Sequence, residues 1–328
     1  MSDLDFALAE GAPPVLRVTT ESPRQWVSKH RERLRAAVDE HGAVLVRGLG
    51  IRDAAQAAGV SRALAAELLP EREGFAPRDG HGDRVYSSSK WPRDQPMCMH
   101  HELSYAMEFP GLMILSCLRA PSSGGVTALA DARAVLRDLP GDLVARFERE
   151  GWQLLRSYNP LVGVAWTEAF GTTDRAEVER YCSDNHIRFQ WTADGGLRTR
   201  QRRPAVVTHP VTGERCWFNQ IAFLNEWTME ASVREFLKSE FGPDSLPFTT
   251  LFGDGEPLDE EIVEQINDVY DRHTLREPWQ DGDLMVVDNV RTAHNREPYT
   301  GDRQVVVAMG DPIRLDKCDV SRIWEAEL

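Results

Sequence analysis

The sequence predicts a mainly β fold of the sandwich or jelly-roll kind, with helical segments inserted into one β-core. Three observations carry this. Short apolar runs bounded by Gly, Pro and Asp turn signals recur early ("DRVYSSS", "LMILSCLRA", "GGVTALAD") and late ("GERCWFNQIAF", "GDLMVVDNV", "RQVVVAMGDP"). Helical periodicity is concentrated between them. No internal repeat or low-complexity linker divides the chain.

The elements follow in order. "PRQWVSKHRERLRAAVDEHG" reads as an amphipathic helix stopped by Gly42, and "AVLVRGL" as the buried strand after it. "VSRALAAELLP" is expected to be a second helix. "DARAVLRDLPGDLVARFEREG" reads as two short helices split at Pro140. Between residues 152 and 282 helical patterns appear at "RAEVERYCSDN", "MEASVREFLKSEF" and "DEEIVEQINDVYDRH".

Composition narrows the function. With 38 Lys+Arg against 52 Asp+Glu, the net charge of −14 argues against a nucleic-acid partner, which needs a basic face. No apolar run approaches the ~18 residues of a membrane span. The N-terminus is acidic and lacks an apolar leader core. The five cysteines are odd in number, scattered and without a CxxC, which reads as reduced thiols in the cytoplasm. Cys98 reads as an apolar filler.

"PMCMHHELSYAM" carries the first chemistry. On a strand, side chains two apart share a face, so His100 and Glu102 look one way and His101 the other. A third ligand is available at His294, in "GDLMVVDNVRTAHNREPYTGDRQVVVAM". Two histidines and a carboxylate match the facial triad of non-haem Fe(II) oxygenases, which leaves three positions open. Two positions suit a bidentate 2-oxo acid and one suits O2. Such an acid needs a cation for its far carboxylate. Arg303 can reach the site if "RQVVVAM" runs back alongside the strand ending near His294. Each residue also has a bland role: a chance His-x-Glu, a core histidine, a solvated arginine. The same ligand types suit a zinc hydrolase. Against that, the chain has no HExxH and hydrolysis gives Arg303 no task. A jelly-roll binding or storage protein would be expected to have lost ligands.

With "HHELSY", "APSSGGVTALADARAVL", "TGERCWFNQ", "WQDGDLMVVDN" and "HNREPYTGDR", the chain resembles the taurine dioxygenase (TauD/TfdA) family of Fe(II)/2-oxoglutarate-dependent oxygenases. Within it, the chain is most like the clavaminate synthase-like and syringomycin-type amino-acid hydroxylases. The resemblance implies a double-stranded β-helix (jelly roll), Fe(II), and 2-oxoglutarate and O2 as co-substrates. His100, Glu102 and His294 fall on the iron ligands. Arg303 falls on the arginine for the distal carboxylate of 2-oxoglutarate, and Thr127 on a threonine that hydrogen-bonds the co-substrate. Asn219 and Phe223 fall near the substrate wall. Arg296 is a second candidate for the co-substrate or for a substrate carboxylate. Many relatives have Asp where this chain has Glu102.

The implied organisation is one oxygenase domain over residues 1–328. Its β-core would lie at about 86–130, 205–225 and 280–312, with inserted helical or lid segments at about 132–200 and 226–278. The implied reaction is hydroxylation of an unactivated C–H bond of an amino acid or derivative in secondary metabolism. A small sulfonate or other organic acid is the alternative substrate. Desaturation and epoxidation use the same ligand set. Related halogenases replace the carboxylate with a small residue, so Glu102 implies hydroxylation. Arg198, Arg200, Arg202 and Arg203 read as a solvated hairpin, or as a lid that meets an anionic substrate or an acidic carrier protein.

Overall fold

The computed structural model describes residues 4–159, 163–242, 246–318, 320 and 323–325. Both ends of the 1–328 domain, and residues 160–162 and 243–245 of the inserted segments, lie outside the described residues.

Two sheets enclose the core. The larger has seven strands in the order Phe6–Ala7, Val15–Arg17, Ala43–Arg47, Leu284–Asp288, Glu108–Arg119, Gln304–Arg314, Val85–Ser87. All its pairs are antiparallel except Val15–Arg17 with Ala43–Arg47. The smaller has four strands in the order Thr274–Leu275, Leu129–Asp131, Thr292–Arg296, Met97–His100.

The central strands of the large sheet are apolar on both faces, and the period of two sorts them. Met113, Leu115, Met285, Val287, Val305 and Val307 join the core shared with the small sheet. Their neighbours Leu112, Ile114, Leu284, Val286, Val306 and Ala308 pack with residues of the helices Pro23–His41 and Ala54–Leu64. The first helix ends where the sequence places its stop: Gly42 adopts φ 81° and donates its N–H to the Val38 carbonyl. A Cβ there would sit 2.5 Å from Thr292 Oγ1, on the strand that carries His294, so the turn demands glycine twice over.

Several elements differ from the sequence reading. The second helix spans Ala54–Leu64 rather than 60–70, because Asp53 caps it through the Gln56 N–H. Its expected second half leaves the helix to bond the last strand: Ala66 N–H donates to Asp311 Oδ1 and Leu69 N–H to the Met309 carbonyl. In "GERCWFNQIAF" only Arg215–Trp217 is strand. It pairs with Val206–Thr208 as a separate hairpin, so 205–225 lies outside both core sheets.

The 132–200 segment holds strands as well as helices. Trp152–Tyr158, Ile187–Trp191 and Leu197–Arg203 form a third, four-stranded sheet with Phe248–Phe252. The inward positions of Leu197–Arg203 include Thr199, Gln201 and Arg203, all buried. Polar residues facing inward erase the apolar alternation that betrays a strand. "RTRQRRP" is therefore only in part a solvated hairpin: it is the second strand of one, with Arg198 exposed and Arg203 buried. Arg203 is 1% exposed and donates to the Tyr105 and Asn185 carbonyls, while Arg202 donates to the Glu150 carbonyl. Among the described residues no helix is long and apolar enough to cross a membrane.

Candidate metal centre

His100 ends the strand Met97–His100 and lies directly opposite His294 in the antiparallel register. The chain leaves the strand immediately afterwards, so Glu102 projects from a turn and not from the strand the sequence reading assumed. In that turn Leu103 takes φ 53°. His101 does point away: its Nδ1 is 2.6 Å from the Asn289 carbonyl.

Asn289 ties the two ligand segments together. Its Oδ1 accepts the Glu102 N–H at 2.8 Å, and its Nδ2 donates to the Glu102 and Pro110 carbonyls, both at 2.9 Å. It sits in the turn just before the His294 strand. Nothing in "VVDN" announced this, since an asparagine after a strand reads as an ordinary turn residue.

His100, Glu102 and His294 each place a ligand atom within 4.8 Å of the others, and all three are buried. His100 Nδ1 lies 2.9 Å from the Cys98 carbonyl, which can only accept. The proton therefore sits on Nδ1 and leaves Nε2 bare for a metal. Burial holds both imidazoles below their ordinary pKa, His294 well below it, with neighbouring histidine charge adding to the effect on His294. Neutral imidazoles are the ligating form. His294 Nδ1 is buried with no partner. Two bare imidazoles and one carboxylate, converging with no thiolate in the set, fit a divalent iron.

The triad opens into a cavity between the two core sheets, lined also by Thr127, Arg296, Arg303, Met113, Leu115, Val305 and Val307. Arg303 donates through Nη2 to Thr127 Oγ1 at 3.1 Å and through Nε to the Gly125 carbonyl at 2.9 Å. It does not arrive by the expected route. The strand Gln304–Arg314 pairs with Glu108–Arg119 and Val85–Ser87 in the large sheet, so Arg303 reaches the cavity from the opposite wall. Burial, and then the Arg296 guanidinium, push the Arg303 pKa down to about 10. Two guanidiniums in a half-dry cavity favour an anion beside them.

Of the other candidates, Phe223 stacks on the His100 ring at 4.6 Å and 23°, and Phe75 meets both rings edge-on. Asn219 is not on the cavity wall. It donates to the Ala205 carbonyl and accepts the Ile221 N–H, an internal turn bond. Arg296 lines the cavity, but its Nη atoms donate to the carbonyls of Trp91, Pro92 and Gln95. Arg78, which carried no signal in the sequence, pairs with Glu102 at 2.9 Å.

Residues 5–309 match the Taurine catabolism dioxygenase TauD, TfdA family. The chain belongs to that family. It is an Fe(II)- and 2-oxoglutarate-dependent dioxygenase, with O2 as the second co-substrate. Among curated relatives, this TauD/TfdA member is 34% identical to dapdiamide synthesis protein DdaC of Enterobacter agglomerans, over 93% of this chain and 94% of that one. It is 28% identical to a clavaminate synthase-like protein of Arabidopsis thaliana, over 87% and 86%. Solved structures share the fold. A taurine dioxygenase from Burkholderia xenovorans superposes with a TM-score of 0.53 at 18% identity, covering 96% of this chain and 93% of that one. The PvcB protein of Pseudomonas aeruginosa gives 0.51 at 14% identity, covering 91% and 85%.

Proposed function

We propose that this dioxygenase hydroxylates an unactivated C–H bond of an amino acid or amino-acid derivative during synthesis of a secondary metabolite. In this reading His100, Glu102 and His294 hold Fe(II), while Arg303 and Thr127 hold the distal carboxylate of 2-oxoglutarate. The observation that carries it is the convergence of the triad and the Arg303–Thr127 pair on one cavity. The relative named for dapdiamide synthesis supports the biosynthetic setting. We read the two facing sheets as the double-stranded β-helix of a single oxygenase domain, and the inserted sheet with its helices as the lid region.

Bound iron would activate O2, the oxidant, with two of the four electrons O2 accepts coming from 2-oxoglutarate as it decarboxylates to succinate and CO2 and the other two from the substrate C–H bond. The residues of this chain do the rest. The Cys98 carbonyl keeps the His100 proton off Nε2. Phe75 and Phe223 pack on the His100 ring, keep water off that side of it and fix its orientation. Family membership leaves the zinc-hydrolase and storage readings without support. A small sulfonate or other organic acid remains the rival substrate, and desaturation or epoxidation the rival outcomes. The five cysteines are free, as a reducing cytoplasm would keep them.

The test is an anaerobic titration of the Fe(II)-loaded protein with 2-oxoglutarate, followed by amino acids, their derivatives and small sulfonates. We expect a visible metal-to-ligand band that shifts with an amino-acid ligand. A band that shifts only with sulfonates would overturn the substrate class, and absence of the band would overturn the site.

A carrier-tethered substrate is a second reading, favoured by one observation. Arg198 and Arg200 face outward from the inserted sheet into one groove, on a chain of net charge −14. A local basic face suits an acidic carrier protein.

A further inference from the structure

Glu102 does not face the cavity alone. Its Oε2 accepts Arg78 Nη2 at 2.9 Å, and the two side chains are 4% and 5% exposed. Arg78 is itself held: Nε donates to Ser89 Oγ at 3.1 Å and lies 3.4 Å from Glu71 Oε1. The segment that delivers it is pinned from the inserted sheet and the Glu102 turn. Arg156 donates to the Glu73 and Gly74 carbonyls, and Tyr105 Oη donates to the Glu73 carbonyl. These bonds restrict where the guanidinium can go.

A carboxylate has two oxygens and can offer a metal one or both. On an octahedral metal with two imidazoles, one oxygen leaves three positions open, and both oxygens leave two. A bidentate 2-oxo acid and O2 together need three. Glutamate has one more rotatable bond than aspartate, so it swings more readily into chelation. We infer that Arg78 is a positioning residue: by occupying Oε2 it confines Glu102 to one-oxygen coordination and keeps the third position open. This rests on the reading of His100, Glu102 and His294 as the metal ligands. It also gives this chain's glutamate, where many relatives have aspartate, a physical partner.

The probe is Mn(II) alone, with bound waters counted by water-proton relaxation, followed by 2-oxoglutarate titration of the Fe(II) form without O2. Wild type should hold about three exchangeable waters. Arg78→Met should hold one fewer, and its 2-oxoglutarate affinity should fall about 10–100-fold. Arg78→Lys, which keeps one charged donor, should recover most of both. An unchanged water count in Arg78→Met would overturn the clamp. If that variant fails to fold, Ser89→Ala loosens the Nε end, leaving it only Glu71 and burying no unpaired charge. It should move both readouts the same way by a smaller factor, and no movement would overturn the proposal. His100→Ala is the control for the underlying reading. Mn(II) bound as tightly by His100→Ala as by wild type would overturn the triad and the clamp with it. A weakened His100→Ala beside an unchanged Arg78→Met would overturn the clamp alone.

Discussion

His294 lies directly across an antiparallel pair from His100, with ring centroids 4.4 Å apart. Residues nearly two hundred positions apart in sequence thus become neighbours on one face of a four-stranded sheet. Main-chain register sets their spacing, and the rings themselves need no mutual bond.

Removing either ring should remove most metal affinity and all turnover, because two ligands cannot define an open face. Ala at His100 or His294 is expected to lose most Fe(II) affinity by anaerobic titration. Ala at His101 should keep iron while losing stability, roughly 1–3 kcal/mol for the carbonyl it leaves unpaired. Iron lost at His101 and kept at His100 would refute the assignment.

Arg303→Ala should sharply raise the 2-oxoglutarate concentration needed, while iron still binds. Losing one partner of a hydrogen-bonded charge pair in a partly buried site costs about 2–5 kcal/mol. Thr127→Val should cost less, about 0.5–1.5 kcal/mol, since only a hydroxyl is lost. Both follow from 2-oxoglutarate titrations. An unchanged Arg303→Ala would shift the role to Arg296.

Acid should destabilise the metal-free protein through its buried, uncharged histidine. Burial is the largest cause that pushes the His101 pKa down to about 4, from an ordinary value of 6.5. Between those values the unfolded chain binds a proton that the native state refuses. Stability therefore rises with pH across that window and falls as pH drops through it. The full difference is about 3 kcal/mol. Urea midpoints from pH 7 to 4 measure it, and His101→Gln should flatten the slope.

Glu at Arg198 and Arg200 together should weaken activity on a carrier-bound amino acid, more so at low ionic strength. Turnover of a free small substrate should stay nearly unchanged, because the candidate metal ligands lie between the other two sheets. Equal loss on both substrates would place the groove at the lid. No loss on either would make its arginines a solvated face.

Much of the site was legible because its signals are local. His100 and Glu102 are two residues apart, so their shared side survives even though the strand ends at His100 and a turn carries Glu102. Arg303 was legible as a residue and misjudged in its route. Asn289 and Arg78 were invisible. Each acts through a partner far away in sequence, and neither residue type announces a ligand's support.

From the sequence alone come the candidate ligand types, the family and the central strands, whose residues are apolar on both faces and so show as continuous runs. The folded arrangement sets which wall delivers Arg303, turns Asn219 inward and away from the cavity, and buries Arg203 in a third sheet. The physical reason is common to all three. Main-chain register and buried polar bonds join segments distant in sequence, and a polar side chain facing inward leaves no hydrophobic period to read.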